Sequence, residues 1–141
     1  MLTLSQRASF SCCYIMDGVL NPHDYKVEAT IQSSDVEDTR DVILDFDRFK
    51  TLLKSVLPNR AFLTSDIVKA NVQLENDLCN TLKCMRIPVV KYSFEICTET
   101  LCAALAQALQ SELTRGRTHT EVIEFKLRES NDAYATWTKP E

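Results

Sequence analysis

His23, in the run Leu20-Asn21-Pro22-His23-Asp24-Tyr25, is the side chain best suited by type to hold a metal or move a proton. One imidazole does not make a zinc site, because three or four nitrogen, sulfur or oxygen donors must converge. Two upstream side chains offer themselves as companions, the Cys12 thiol and the Asp17 carboxylate. Asp17 can serve as a general base if its surroundings raise its pKa. It is equally the first residue of an Asp-Gly turn, which needs no function. Pro22 removes a backbone N–H beside His23 and fixes φ there, which narrows the geometries open to this stretch. His119, the other histidine, lies in a polar turn and carries no expected role.

Glu129 is the second candidate, and strand parity picks it out. Ile123, Phe125 and Leu127 alternate with Glu124, Lys126 and Arg128, so Glu129 continues the inward series. A carboxylate at the end of an apolar face needs a partner, since an unpaired buried charge is costly. A salt bridge or a solvated strand end satisfies that need. So does a ligand, because a carboxylate can accept two N–H donors from a planar heterocycle.

The elements that must position these groups read as strand, strand, helix, extra helix, helix, strand, strand. A first strand is expected over residues 4 to 16, with Phe10, Cys12 and Tyr14 on one face. A second follows from His23 to Ser33, placing Tyr25, Val27, Ala29 and Ile31 on its apolar face. Asp45 is a plausible N-cap for a helix carrying Phe46, Phe49, Leu52, Leu53 and Val56. Leu74, Leu78 and Leu82 suggest another helix from Ile67 to Cys84, its stripe packed on its own domain. Pro88 separates that helix from an extended piece, Val89 to Ile96. Thr98 is expected to cap a third helix with a buried stripe of Leu101, Leu105, Ala108, Leu109 and Leu113. Strands around Ile123–Leu127 and Ala133–Trp137 close the chain.

Composition bounds the possibilities. The 141 residues fit a single domain, 1–141, and 45% hydrophobic with 26% charged content is ordinary for a soluble globular chain. A net charge of -4 recommends neither nucleic acid nor an anionic membrane as partner, and no apolar run is long enough to span a bilayer. The first residues lack a basic region followed by an apolar one, so no signal peptide is expected and the cytoplasm is the expected compartment. None of the six cysteines forms a Cys-x-x-Cys pair, and reduced core thiols are the favoured reading. Only Gly18 and Gly116 are available for turns, which argues against a glycine-rich phosphate loop.

Four stretches carry a family resemblance. Phe10-Ser11-Cys12-Cys13-Tyr14 is similar to a strand reading Phe-x-Ala-x-His. Leu20-Asn21-Pro22-His23-Asp24-Tyr25 is similar to His-Gly-His followed by Asn or Ser and an aromatic. Val42-Ile43-Leu44-Asp45-Phe46 with Phe49-Lys50 is similar to Met-Val-x-Asp-Phe-x-x-Leu-Lys. Thr98-Glu99 and Arg128-Glu129-Ser130 are similar to a Thr-Glu helix start and a late Glu-Thr. In this order and spacing they resemble the 6-pyruvoyltetrahydropterin synthase and 6-carboxytetrahydropterin synthase family, interrupted by an apparent insertion at about residues 66–95.

That resemblance implies an α+β tunnelling fold (T-fold), a four-stranded antiparallel sheet with helices on one face. It also implies subunits that close into a trimeric barrel, two trimers often stacking into a hexamer, with active sites between subunits. In the family a zinc ion on three histidines activates a dihydroneopterin triphosphate, and a cysteine with a neighbouring Asp-His couple moves protons. A late glutamate and the Thr-Glu pair hold the pterin ring. Here the zinc positions fall on Tyr14, Asn21 and His23, and the proton-transfer position on Asp17. No alignment of residues 58–61 recovers the Asp-His couple. Thr98, Glu99 and Glu129 stand where the family holds its pterin.

The expectation is therefore a divergent, non-catalytic homologue that keeps a pocket for a pterin-like heterocycle between subunits of a homotrimer or hexamer. Zinc is disfavoured, because tyrosine and asparagine replace imidazole poorly. The first alternative is an active lyase-type enzyme on a related pterin substrate, using Asp17 and a metal held partly by His23. The second is an oligomeric scaffold acting through residues 66–95.

Overall fold

The computed structural model describes residues 3–16, 19–33, 46–67, 72–116, 120–129 and 133–141. Two long strands form its centre, β1 (Thr3–Met16) and β2 (Val19–Ser33), paired antiparallel from Thr3 opposite Gln32 to Met16 opposite Val19. Their alternation buries Phe10, Cys12 and Tyr14 on β1 and Tyr25, Val27, Ala29 and Ile31 on β2. The opposite face of the pair is polar and carries Ser5, Arg7, Ser9, Asp24 and Lys26.

Helix α1 (Phe46–Val56) presents Phe49 and Leu53, one turn apart, to that apolar face. Asp47 in its first turn and Lys54 in its last complement the helix dipole. Asp45, the expected N-cap, lies outside the described residues. Helix α3 (Thr98–Arg115) buries Leu101, Cys102, Leu105, Ala106, Leu109 and Leu113 against the same core. The stripe therefore includes Cys102 and Ala106, while Ala108 is only half-buried.

The sheet has six strands rather than the expected four, in the order β4-β3-β1-β2-β5-β6. Strands β5 (Thr120–Arg128) and β6 (Tyr134–Thr138) are antiparallel neighbours, as expected. The two additions are β3 (Ala61–Ser65) and β4 (Val89–Tyr92), which run parallel to one another and to β1. A short loop sets that direction. Ser11 donates its N–H to Asn59 Oδ1 at 3.1 Å and accepts from the Arg60 N–H at 2.7 Å. Arg60 takes the left-handed conformation, φ 57°, and delivers Ala61 opposite Cys12.

Between β3 and β4 runs helix α2 (Val72–Cys84), packed against β4. It is shorter than the expected Ile67–Cys84, and Ile67 is exposed. Its stripe also differs: Leu82 and Glu75 are buried, Leu78 is half-buried, and Leu74 is exposed. The extended piece after Pro88 forms a strand only as far as Tyr92.

One register shift matters for the site. Thr30 pairs with Glu124 and Ile31 with Val122, leaving Ile123 as an extra residue in β5. Val122 is consequently buried and Ile123 half-buried, which corrects the inward series to Val122, Phe125 and Leu127. The shift lies upstream of Phe125, so the parity that points Glu129 inward is unaffected.

Candidate functional site

The end of β5, the start of α3 and the inner faces of β1 and β2 meet at one cluster. Tyr14, from β1, lies directly across from Asn21 in the ladder, and Cys12 directly across from His23. The residues at the three positions where the resemblance places metal ligands, Tyr14, Asn21 and His23, therefore share one end of one face. Asn21 is half-buried, and its amide reaches only its own strand, 3.5 Å from the Val19 carbonyl.

His23 meets Glu129, with Nδ1 2.6 Å from Oε1. A carboxylate oxygen accepts, so the proton in this bond sits on Nδ1 and the ring's Nε2 keeps its lone pair. The partner that strand parity demanded for Glu129 is thus a protein side chain. The pair is only partly covered, with side-chain exposures of 22% for His23 and 38% for Glu129, so solvent and ligand can reach it.

Two tyrosines back the histidine. The Tyr14 ring lies 4.5 Å from the His23 ring, centroid to centroid, and Tyr25 stacks on His23 at 5.6 Å. Tyr14 and Tyr25 share a hydrogen bond between their hydroxyls, and the Tyr25 hydroxyl also lies 3.2 Å from Thr98 Oγ1. Burial pushes the Tyr14 hydroxyl well above the usual phenol range, and its hydrogen bond with Tyr25 adds to this. Burial also raises Tyr25, against the opposing effect of its bonds to Thr98 and Tyr14. Both phenols are thereby held protonated.

Thr98 enters this network because it is not the helix cap. Cys97 holds the N-cap position of α3, and its N–H donates to Thr100 Oγ1 at 3.0 Å. That frees the Thr98 hydroxyl, in the first turn, for Tyr25. Glu99 is exposed and has no contact with the cluster among the described residues. Asp17, Ser130 and His119 lie outside the described residues.

Next to the cluster is a cleft of about 660 Å³ that reaches onto the polar face, with Ser9, Ser11, Asp24 and Lys26 in its lining beside Tyr25 and Glu129. Tyr25 was legible only as one more apolar residue of β2, although a tyrosine in such a series always raises the question of its hydroxyl's partner. Asn59 and Arg60 fall where the resemblance expects an Asp-His couple, and they serve instead to dock β3 on β1.

The six cysteines fall into three pairs by burial. Cys12 and Cys102 are buried, and burial raises their thiols to about 12 and about 11. Cys84 and Cys97 are exposed, contrary to the expectation that the cysteines belong to the core, while Cys13 and Cys79 are intermediate. Both Cys84 and Cys97 sit just outside the buried stripe of a helix, at its last residue and its cap. Among the described residues no three His, Cys, Asp or Glu side chains are grouped as a metal site would require. No described helix is long and apolar enough to cross a membrane.

Comparison with known proteins gives this arrangement a lineage. The fold is similar to that of an uncharacterized protein from Wolinella succinogenes, at 14% identity and a TM-score of 0.67, covering 99% of this chain and 98% of that one. It is similar to 6-pyruvoyl tetrahydropterin synthase from Caenorhabditis elegans, at 13% identity and a TM-score of 0.57, covering 99% and 96%. The corresponding enzyme from Plasmodium falciparum matches at 18% identity and a TM-score of 0.60, covering 98% and 97%. No curated protein sequence matches. These likenesses identify the architecture as the T-fold, extended here by β3 and β4. A family model described as 6-pyruvoyl tetrahydropterin synthase matches residues 17–140, nearly the whole sequence and every element from β2 onward. With a T-fold and a match of that extent, this chain belongs to the 6-pyruvoyl tetrahydropterin synthase family.

Proposed function

We propose that this chain is a family member that no longer carries out the metal-assisted reaction but keeps a cleft for a pterin-like heterocycle. The observation that carries this reading is the meeting of Glu129 and the Thr98–Tyr25 hydrogen bond beside one cleft. A planar heterocycle with adjacent N–H groups can stack near an aromatic wall and donate to a carboxylate. Glu129 offers a second carboxylate oxygen besides the one bonded to His23.

The donor chemistry supports the loss of zinc. A phenol must give up its proton to ligate zinc well, and burial together with Tyr25 opposes that at Tyr14. An asparagine amide at position 21 is a poor substitute for imidazole. Three such donors do not fit zinc held in the family manner.

One observation favours a second reading. A histidine that donates Nδ1–H to a carboxylate and keeps Nε2 open has the posture of many metal-ligating histidines. A lyase-type enzyme with a metal partly held by His23, and Asp17 as its base, follows from that posture. Metal analysis of protein purified without chelator separates the two. Zinc at one equivalent per chain that disappears in His23→Ala supports the enzyme, whereas a metal-free chain that binds neopterin supports the pocket.

A homotrimer or hexamer belongs to the same proposal. Strand β3 pairs with β1 only at Cys12–Tyr14, so the outer edge of β1 before Ser11 carries no strand among the described residues. Strand β6 is the other end of the sheet. Two open edges suit edge-to-edge closure into a barrel. Light scattering on the purified protein tests it, with a monomer as the overturning result.

Fluorescence titration with neopterin tests the pocket. Saturable quenching that Glu129→Gln weakens supports it, and an unchanged signal with wild-type protein ends it.

A further inference from the structure

Glu129 is the first residue past β5, and Arg128 before it is the last to pair with β2. Its backbone is tied down, with the N–H donating to the Ala133 carbonyl at 2.9 Å. Its side chain has one hydrogen-bond partner among the described residues, His23 Nδ1. A partly exposed glutamate has several rotatable bonds and, left alone, samples many rotamers. The imidazole is what restricts it.

His23 is in turn restricted. The Tyr14 and Tyr25 rings pack on it, and their hydroxyls are bonded to one another and onward to Thr98 at the start of α3. Cys12, across the ladder from His23, is a buried thiol and no rival for Nδ1. Asp24, the next residue, alternates to the polar face, where its carboxylate is bonded to Ser11 Oγ. A continuous set of contacts therefore runs from α3 through two phenols and the imidazole to one carboxylate.

We propose that His23 is the positioning residue of the heterocycle site, holding Glu129 through Nδ1–H so that the free carboxylate oxygen meets an incoming N–H donor. This role rests on the reading of the cleft as a heterocycle site. It gives the histidine a task that needs no metal. A side chain already ordered spares the complex the entropic cost of ordering it on binding. His23 acts on the ligand only through Glu129, and that sets this role apart from direct contact.

Fluorescence titration of the full chain with neopterin, after metal removal with EDTA, tests this. The wild type should bind saturably. His23→Ala should weaken binding about three- to tenfold, the ordering cost of one side chain. His23→Asn should restore most of the affinity, because an asparagine amide nitrogen falls where Nδ1 stood. His23→Gln should not, because a glutamine amide nitrogen falls in place of Nε2. In a Glu129→Ala background, His23→Ala should have almost no further effect. Urea unfolding confirms that each variant folds, and the asparagine and glutamine variants carry the comparison if His23→Ala does not. Equal losses in all three His23 variants overturn the positioning role, as do additive losses in the double variant. Metal-free wild type that binds neopterin only once zinc is added also overturns it and returns His23 to a metal. Wild type that binds neopterin under neither condition ends the heterocycle reading itself, and this role with it.

Discussion

His23 and Glu129 stand 106 positions apart in the chain and 2.6 Å apart in space, Nδ1 to Oε1. The contact joins an imidazole where the resemblance places a metal ligand to a carboxylate where it places a pterin anchor. A polar contact this exposed contributes modestly to stability, about 0–1 kcal/mol. Its weight lies in orientation, since it fixes the histidine tautomer and one carboxylate oxygen.

Glu129→Gln should therefore leave unfolding nearly unchanged, because an amide oxygen still accepts from Nδ1–H. Neopterin affinity should fall about fivefold, since bonds to a charged acceptor are worth about 1 kcal/mol more than neutral ones. Urea unfolding and fluorescence titration of the same preparation read both quantities. A variant that binds neopterin as the wild type does would remove Glu129 from the ligand site.

Tyr25→Phe should cost more than Tyr14→Phe. The Tyr25 hydroxyl serves both Tyr14 and Thr98, so its loss strands the Tyr14 hydroxyl in a site only 4% exposed. An unsatisfied buried hydroxyl costs about 1–3 kcal/mol, whereas Tyr14→Phe leaves Tyr25 with Thr98 and should cost about 0.5–1.5 kcal/mol. The double variant should recover part of the larger loss. Chemical denaturation of the three variants measures the cycle, and equal single losses would contradict the bridging role of Tyr25.

The central hairpin and the site at its end were legible because they depend on strict alternation. Tyr25, Val27, Ala29 and Ile31 fix which face of β2 is buried, and Phe125 and Leu127 then fix the direction of Glu129. The bulge at Ile123 was not legible, since Val122 and Ile123 are both apolar and either can fill the inward position. Strand β3 escaped for a different reason. Ala61, Leu63, Thr64 and Ser65 are all buried, so the segment lacks a two-residue period, and its parallel partners are distant in sequence. Pairing across 106 residues is likewise invisible to local pattern: parity could demand a partner for Glu129 but could not name His23.

Thiol chemistry should separate the cysteines by burial. Cys84 and Cys97 should react rapidly with a thiol reagent in the native protein, while Cys12 and Cys102 should wait for unfolding. With its thiol raised to about 12, Cys12 has only about one part in a thousand as thiolate at pH 9, where an unperturbed thiol is about half ionised. Counting modified thiols against time at pH 7 and pH 9, with site assignment by mass spectrometry, checks this. Rapid labelling of Cys12 at pH 9 would refute the burial argument.

The same groups predict alkaline weakening of the fold. Cys12, Cys102, Tyr14, Tyr25 and Tyr92 all have folded-state pKa values raised by burial above 9.0 for cysteine and 10.0 for tyrosine. The unfolded chain releases these protons first, so stability is complete below about pH 9 and falls as pH rises toward 11 and 12. The urea midpoint should decline steadily from pH 9 to pH 11. A flat midpoint over that range would mean that these side chains are less buried than their packing indicates.

Arg86→Gly should stabilise the protein. Arg86 has φ 60°, left-handed, two residues past the end of α2. The Ile87 N–H reaches the Leu82 carbonyl at 2.9 Å and the Arg86 N–H reaches the Lys83 carbonyl at 3.0 Å, the two bonds of a Schellman ending. Glycine adopts this conformation without the clash that costs an L-residue about 1–2 kcal/mol. Its greater freedom in the unfolded chain returns part of that gain, leaving a net of about 0.5–1 kcal/mol. Arg86 is exposed, so little packing is lost. Urea unfolding of Arg86→Gly beside Arg86→Ala checks the sign, since alanine keeps the clash while removing the charge. If both variants shift equally, the guanidinium and not the backbone conformation sets the effect at this position.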